Sequence, residues 1–126
     1  MTPGRPLEGK RILVLEDDFY LARDEKALLE KAGAVVVGPF GTAFRGDELP
    51  TADELDGAVV DINLGQGPNF DFARTLKERG VPFVFVTGYD AAVVPPELSG
   101  AERLEKPFRD RDFIAAVGRL SRVVGG

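Results

Sequence analysis

The chain has 126 residues, a length that suits one domain built around one hydrophobic core. Its 21 acidic and 16 basic residues give a formal net charge of −5, which disfavours a nucleic-acid surface because such a surface needs a basic stripe. The absence of cysteine and histidine excludes disulfides, thiolate chemistry, and catalysis or metal binding by histidine. No apolar run approaches the roughly 18 residues of a membrane span and no signal peptide is visible, so we expect a cytoplasmic location without a membrane partner.

Short apolar runs alternate with amphipathic segments along the chain, which is typical of an α/β domain. Residues 1–9 are rich in proline and glycine and are predicted to be a flexible N-terminal arm, leaving residues 10–123 for the domain. Apolar runs predict five strands over residues 11–15, 34–38, 57–60, 81–86 and 101–105. Helical spacing predicts helices over residues 19–31, 71–79 and 110–122, a turn at 91–94, and a short or distorted helix within 42–56.

The predicted elements carry recognisable ends and inward faces. Asp17 or Asp18 is placed to cap the first helix, and Asp110 is placed to cap the last. Gly38 and Pro39 are predicted to end the second strand. Helical spacing predicts the inward side chains to be Leu21, Leu28 and Ala32 in the first helix, Phe72, Ala73 and Leu76 in the second, and Phe113, Ile114, Val117 and Leu120 in the last.

Five strands alternating with helices predict a parallel sheet joined by right-handed crossovers. The expected fold class is α/β, a flavodoxin-like doubly wound five-stranded parallel sheet with strand order 2-1-3-4-5 in a single domain. Strands one, three, four and five are neighbours in that order, and ligands bind at the carboxyl ends of such strands. We therefore expect any ligand site at this edge of the sheet.

Polar and charged side chains follow each of these four strands. They are Glu16, Asp17 and Asp18 after strand one, Asp61 and Asn63 after strand three, Thr87 after strand four and Lys106 after strand five. Two carboxylates about 4 Å apart repel by roughly 4 kcal/mol at an effective dielectric of 20, so the acids need a cation. Oxygen ligands suit Mg²⁺, with carboxylates from Asp17 and Asp61 and the backbone carbonyl of Asn63 as a third protein ligand.

With a cation in place, the Asp61 carboxylate could act as a nucleophile toward phosphorus. Lys106 would neutralise the phosphoryl oxygens and the Thr87 hydroxyl would donate a hydrogen bond to them. Each residue alone has a plainer interpretation: acids before a helix usually cap it, and a threonine or a Lys-Pro pair after a strand usually belongs to a solvated turn. The plainer interpretations do not explain why all of these groups fall at one edge of one sheet.

Four segments, RILVLEDD, AVVDINL, FVTGY and EKPF, stand in this order within residues 10–121. Together they resemble the receiver domains of two-component response regulators. The resemblance implies that Asp61 is the phosphoacceptor, with Thr87 as the switch hydroxyl and Lys106 as the phosphate-binding amine. It also implies a Mg²⁺ site formed by Glu16, Asp17, Asp61 and the backbone carbonyl of Asn63.

Two positions depart from the usual receiver pattern. Arg103 stands three residues before the lysine, where most receivers have Tyr or Phe, and Gly65 stands where a proline is usual. Together with the segments INLG and RGVPFVFVTGY, these positions are similar to an atypical subgroup, the FAT GUY receivers, whose partners are often histidine kinases of the HWE type. Val86 and Asp90 differ from that subgroup's pattern.

The resemblance implies a switch that takes a phosphoryl group from a histidine kinase or phosphotransfer protein onto Asp61. Its output would be contact with a downstream protein rather than nucleic acid, and it would catalyse only its own phosphorylation and slow autodephosphorylation. A pseudo-receiver that binds partners without phosphorylation is one alternative, which Arg103 favours slightly. An Asp-nucleophile phosphatase is the other, and Asn63 argues against it because those enzymes usually need a second acid at that position.

Overall fold

The computed structural model describes residues 6–41, 54–63, 69–89 and 91–120. Five parallel strands form one sheet in the order β2-β1-β3-β4-β5, which confirms the predicted fold class. The strands are β1 (Arg11–Leu15), β2 (Val35–Phe40), β3 (Gly57–Asp61), β4 (Phe83–Thr87) and β5 (Glu102–Glu105). The described helices are α1 (Phe19–Lys31), α2 (Asp71–Glu78) and α3 (Asp110–Gly118), with short 3-10 turns at Ala91–Val93 and Pro96–Leu98.

Two hydrophobic layers cover the two faces of the sheet, because successive strand residues point to opposite faces. One layer includes Leu13 and Val60 with Leu76 of α2, and the other includes Val59 with Phe113 of α3. Strands β3 and β4 are buried along their whole length. Their carboxyl ends therefore present side chains at the middle of the sheet edge, where the candidate site lies.

Strand β2 runs two residues past its predicted end, so the prediction that Gly38 and Pro39 end it is wrong. Gly38 has a φ of 104°, which glycine adopts without the clash that a Cβ would cause. The register against β1 shifts between Leu13 and Leu15, and pairing resumes between Leu15 and Phe40. The glycine therefore makes a bulge that the strand absorbs instead of a turn that ends it.

Helix α1 has the predicted bounds, but its inward face differs from the prediction. Asp18 caps the helix, since its Oδ1 accepts a hydrogen bond from the Leu21 amide at 3.0 Å. The helix buries Ala22, Glu25 and Leu29. Leu21 and Leu28, predicted to face inward, are only half-buried. The prediction failed because it considered only apolar residues for the inward face of the helix and did not consider Glu25.

The remaining predictions have mixed outcomes. The predicted cap at Asp110 is wrong, because the capping position is Arg109 and its side chain makes no capping hydrogen bond. Most of the helix predicted within residues 42–56 lies outside the described residues. Leu7, in the predicted arm, is fully buried, and its amide donates to the Ala32 carbonyl at 2.9 Å. None of the helices in the described ranges has the length and apolar character needed to cross a membrane.

Candidate functional site

Three of the predicted site residues, Glu16, Asp61 and Lys106, meet at the carboxyl edge of the sheet and form an acid–lysine cluster. The Lys106 Nζ lies 3.4 Å from Asp61 Oδ1 and 3.6 Å from Glu16 Oε1. The two acids are each 3% exposed, whereas the Lys106 side chain is 27% exposed. The ammonium is therefore the member of the cluster that faces solvent, and it neutralises part of the buried negative charge.

Asp61 is held in place by the backbone on both sides of it. It pairs with Val86 of β4 in the parallel register, and its Oδ1 accepts a hydrogen bond from the Asn63 amide at 3.0 Å. The amide of Ile62 donates to the Val86 carbonyl at 3.4 Å, which continues the pairing past the end of the strand. The Asp61 carboxylate therefore has a fixed orientation at the edge where parallel sheets bind ligands.

The surroundings of Glu16 disfavour its ionised form. Its burial, reinforced by the neighbouring carboxylates of Asp61 and Glu25, raises its pKa to about 9. Its Oε2 accepts a hydrogen bond from the Asp18 amide at 3.2 Å. Its Oε1 is buried and has no hydrogen-bond partner among the described residues, although Lys106 lies 3.6 Å away. A second positive charge near Oε1 would therefore stabilise the cluster.

The predicted metal ligands are only partly assembled. Asp17 is exposed, and a Cβ placed on Gly41 would lie 3.3 Å from its Oδ1. Within the described ranges, no three acidic side chains are gathered closely enough to hold a metal ion. The donors available are all oxygens, and the orphaned Oε1 of Glu16 is a buried acceptor, so the chemistry of the set fits a hard divalent cation.

Thr87 and Lys106 are joined through the ends of β4 and β5. The Lys106 amide donates to the Thr87 carbonyl at 2.8 Å. The Thr87 side chain is fully buried, and its Oγ1 accepts a hydrogen bond from the Tyr89 amide at 2.8 Å. Arg103 donates from Nη1 to the Tyr89 carbonyl at 3.1 Å and lies 3.9 Å from Glu105. We call the linked residues Thr87, Tyr89 and Arg103 the threonine–arginine chain.

Glu25 is a charged residue near the site that the sequence reasoning missed. It is 1% exposed, and burial is the main reason that its pKa is raised to about 8, with the Lys106 charge acting in the opposite direction. Neither carboxyl oxygen accepts a hydrogen bond from a nitrogen or hydroxyl donor among the described residues. The partner of Glu25 is the carboxyl of Glu16, and the two can share a proton when one of them is protonated. Its spacing of three from Ala22 and four from Leu29 was the available signal.

Comparisons with known proteins agree with this architecture. No protein-family model matches the chain. The regulatory protein VirG of Rhizobium rhizogenes is 29% identical over 113 residues, which cover 86% of this chain and 46% of VirG. The chain spans about half the length of the curated relatives it matches.

Two solved structures of receivers are similar to this chain over most of its length and most of their own. A response regulator receiver protein from Sinorhizobium medicae is 29% identical with a TM-score of 0.71, covering 90% of this chain and 95% of that one. The receiver domain of HemR from Leptospira biflexa is 28% identical with a TM-score of 0.73, covering 90% and 97%. The FAT GUY subtype stays a prediction. Strand order, sheet-edge residues and these similarities together identify the chain as a receiver domain of the response regulator family.

Proposed function

We propose that this receiver is a phosphorylation switch, in which Asp61 accepts a phosphoryl group from a histidine kinase or a histidine phosphotransfer protein. The observation that carries the proposal is the 3.4 Å separation of Lys106 Nζ and Asp61 Oδ1 at the sheet edge. An ammonium that already faces the carboxylate is positioned to neutralise the oxygens of an incoming phosphoryl group. Charge neutralisation and positioning are the main requirements of phosphoryl transfer.

In this proposal a Mg²⁺ ion would be held by Asp17, Asp61 and the Asn63 carbonyl, with Glu16 beside them, and it would supply positive charge to the phosphoryl oxygens. Asp61 would attack phosphorus through a carboxylate oxygen while the bond from phosphorus to the donor breaks. The Thr87 hydroxyl would turn its proton to a phosphoryl oxygen, because its Oγ1 already accepts from the Tyr89 amide and its proton remains available.

The signal would leave the site through the threonine–arginine chain. A new bond between Thr87 and the phosphoryl group would pull on Tyr89, and therefore on the guanidinium of Arg103 at β5. The readout would be contact with a downstream protein in the cytoplasm, without nucleic acid, membrane or repeated substrate turnover. The receiver domain would span residues 10–123.

The test is to incubate the protein with Mg²⁺ and a small acyl phosphate, and to follow its intact mass. We expect a gain of one phosphoryl group within minutes, lost in Asp61→Asn. Glu78→Gln is the matched control, because Glu78 is an exposed acid at the carboxyl end of α2, which in a parallel α/β fold lies toward the opposite edge of the sheet. No gain from either the small donor or a phosphorylated phosphotransfer protein would favour the pseudo-receiver. Repeated hydrolysis of phosphate esters would instead favour the phosphatase.

A further inference from the structure

The carboxyl end of β2 reaches the same edge of the sheet as the predicted metal ligands, because β2 runs parallel to β1. Leu15 pairs with Phe40 in the register, and the Glu16 amide donates to the Phe40 carbonyl at 2.9 Å. The chain that leaves β2 therefore continues beside the chain that leaves β1. None of the roles proposed above involves β2.

Gly41, the first residue after β2, lies against the carboxylate of Asp17. A Cβ placed on Gly41 would lie 3.3 Å from Asp17 Oδ1, which is closer than the 3.4–4 Å of ordinary van der Waals contact. That oxygen is the only heavy atom of the described residues, apart from Gly41 and its two chain neighbours, within 4 Å of the added Cβ. A side chain at residue 41 would therefore press on the Asp17 carboxylate and on nothing else in the described part of the chain.

Backbone conformation does not explain the glycine at position 41. Gly41 does not have the positive φ that Gly38, three residues before it, has. Alanine adopts the other allowed backbone conformations without strain, so the backbone here would accept it. What a glycine contributes at this position is therefore the absence of a side chain beside Asp17.

The backbone that carries Gly41 is held in place by β2. A Cβ on Gly38 would lie 3.0 Å from the Val14 carbonyl oxygen and 3.0 Å from the Phe40 amide nitrogen, so the bulge leaves no room for a side chain there. Phe40 is half-buried and packs against the hydrophobic layer on the α2 side of the sheet. Because packing and a backbone hydrogen bond fix Phe40, the residue that follows it keeps its place next to Asp17.

The position of the Asp17 carboxylate matters to different degrees for different divalent cations. Mg²⁺ requires near-ideal octahedral geometry with oxygens at about 2.0–2.1 Å, whereas Ca²⁺ accepts about six to eight oxygens at about 2.3–2.6 Å in flexible arrangements. A methyl group added at residue 41 would displace the Asp17 oxygen by a few tenths of an ångström. The loss of affinity should therefore be larger for Mg²⁺ than for Ca²⁺.

We propose that Gly41 is a positioning residue that favours Mg²⁺ over Ca²⁺, because it leaves the Asp17 carboxylate free to take the place that a small octahedral ion requires. This role rests on the proposed function, in which Asp17 is a Mg²⁺ ligand. It adds to that function a determinant of metal selectivity that comes from the end of β2.

The test is a titration of the full ¹⁵N-labelled chain with MgCl₂ and, separately, with CaCl₂, without a phosphodonor. The dissociation constants come from the saturable shifts of the backbone amides of Asp17 and Asn63. Gly41→Ala is the test variant, and it should fold because the atom that its methyl group meets is the end of an exposed side chain. Gly100→Ala is the matched control, because a Cβ placed on Gly100 has no heavy atom of the described residues within 4 Å, its chain neighbours aside.

We expect Gly41→Ala to bind Mg²⁺ at least about tenfold more weakly than the wild type, since changes beside a metal ligand typically lower affinity about 10- to 100-fold. Its Ca²⁺ affinity should fall less than about threefold, and the midpoint of urea denaturation of the metal-free protein should stay at the wild-type value. Gly100→Ala should match the wild type for both ions. In Asp17→Ala, which lacks the displaced oxygen, adding Gly41→Ala should change the remaining Mg²⁺ affinity less than about twofold.

Three outcomes would overturn this role. Unchanged Mg²⁺ affinity in Gly41→Ala would mean that Asp17 does not depend on the space beside it. Equal losses for Mg²⁺ and Ca²⁺, or a lower urea midpoint, would assign Gly41 a structural role only. The absence of Mg²⁺ shifts in the wild type would instead contradict the metal site of the proposed function, and the role of Gly41 with it.

Discussion

Two groups of buried acids lie within the same region of this receiver, and they differ in what surrounds them. Glu16 and Asp61 face the ammonium of Lys106 and accept hydrogen bonds from backbone amides. Glu25 is equally buried, but its partner is the carboxyl of Glu16, with which it can share a proton, and it accepts no hydrogen bond from a backbone amide among the described residues. Burial alone therefore does not distinguish a reacting carboxylate. The backbone donor and the ammonium beside Asp61 are the features that support the phosphoryl chemistry proposed for it.

Removing the Lys106 ammonium would leave Glu16 and Asp61 without a facing positive charge, as Glu25 is. Lys106→Met should slow phosphoryl uptake on the order of 10²-fold, because a positioned positive donor typically contributes that much to stabilising developing negative charge. The measurement is the initial rate of mass gain with a small acyl phosphate and Mg²⁺. Lys31→Met, at an exposed position at the end of α1, is the control and should react at the wild-type rate. Uptake by Lys106→Met at that same rate would contradict the proposed role.

Replacing the isolated acid tests the other side of the comparison. Because the pKa of Glu25 is raised from 4.5 to about 8, the folded protein keeps a proton that the unfolded chain loses between these pH values. The stability from this group is fully present below pH 4.5 and is lost as the pH rises through 8. At pH 9, Glu25→Leu should therefore have a higher free energy of unfolding than the wild type, by an amount on the order of a few kcal/mol.

Urea denaturation at pH 5, 7 and 9 measures this effect, with Glu30→Leu as the control on the exposed side of α1. The gain in Glu25→Leu should grow with pH, although Glu16, whose pKa is also raised, keeps part of the pH dependence. Parallel stability curves for the variant and the wild type would mean that Glu25 has a partner in solution.

The smallest expected effect concerns the threonine–arginine chain. Arg103→Ala should lower the free energy of unfolding by less than about 1 kcal/mol, as partly exposed polar contacts usually do, and should leave phosphoryl uptake unchanged. It should reduce the amide shifts along β5 that follow phosphorylation, because the link from Tyr89 is lost. Arg111→Ala, at an exposed position of α3, is the control. Shifts along β5 that survive in Arg103→Ala would assign the transmission to another route.

The fold and the assembly of the site were predictable because both depend on patterns that local sequence records. A short uninterrupted apolar run between turn signals, such as residues 57–60, is typical of a buried parallel strand. The strand order then brings Asp61 and Lys106 to the same edge of the sheet. α1 was predicted to the residue because its cap, Asp18, and the glycine after it mark both ends. The inward residues Phe72, Ala73 and Leu76 of α2 were also predicted correctly.

The failures have one physical cause, which is that tertiary contacts overrode local preferences. The predicted inward face of α1 contained only apolar residues, yet the fold also buries Glu25. Gly38 is a turn former, yet pairing with β1 continues through it as a bulge. The threonine–arginine chain was invisible for a similar reason, since its links run through the backbone of Tyr89 and leave no pattern in the sequence.

The hydrogen bond from the Lys106 amide to the Thr87 carbonyl has a mechanical consequence. It joins the end of β4, which carries the Thr87 hydroxyl, to the end of β5, which leads directly to Lys106. Glu16 and Asp61 come directly after the paired residues Leu15 of β1 and Val60 of β3. The hydroxyl and the ammonium therefore belong to one pair of joined strands, and the two acids belong to the other. The spacing between the two pairs depends on the register of β3 against β4, in which Asp61 lies opposite Val86.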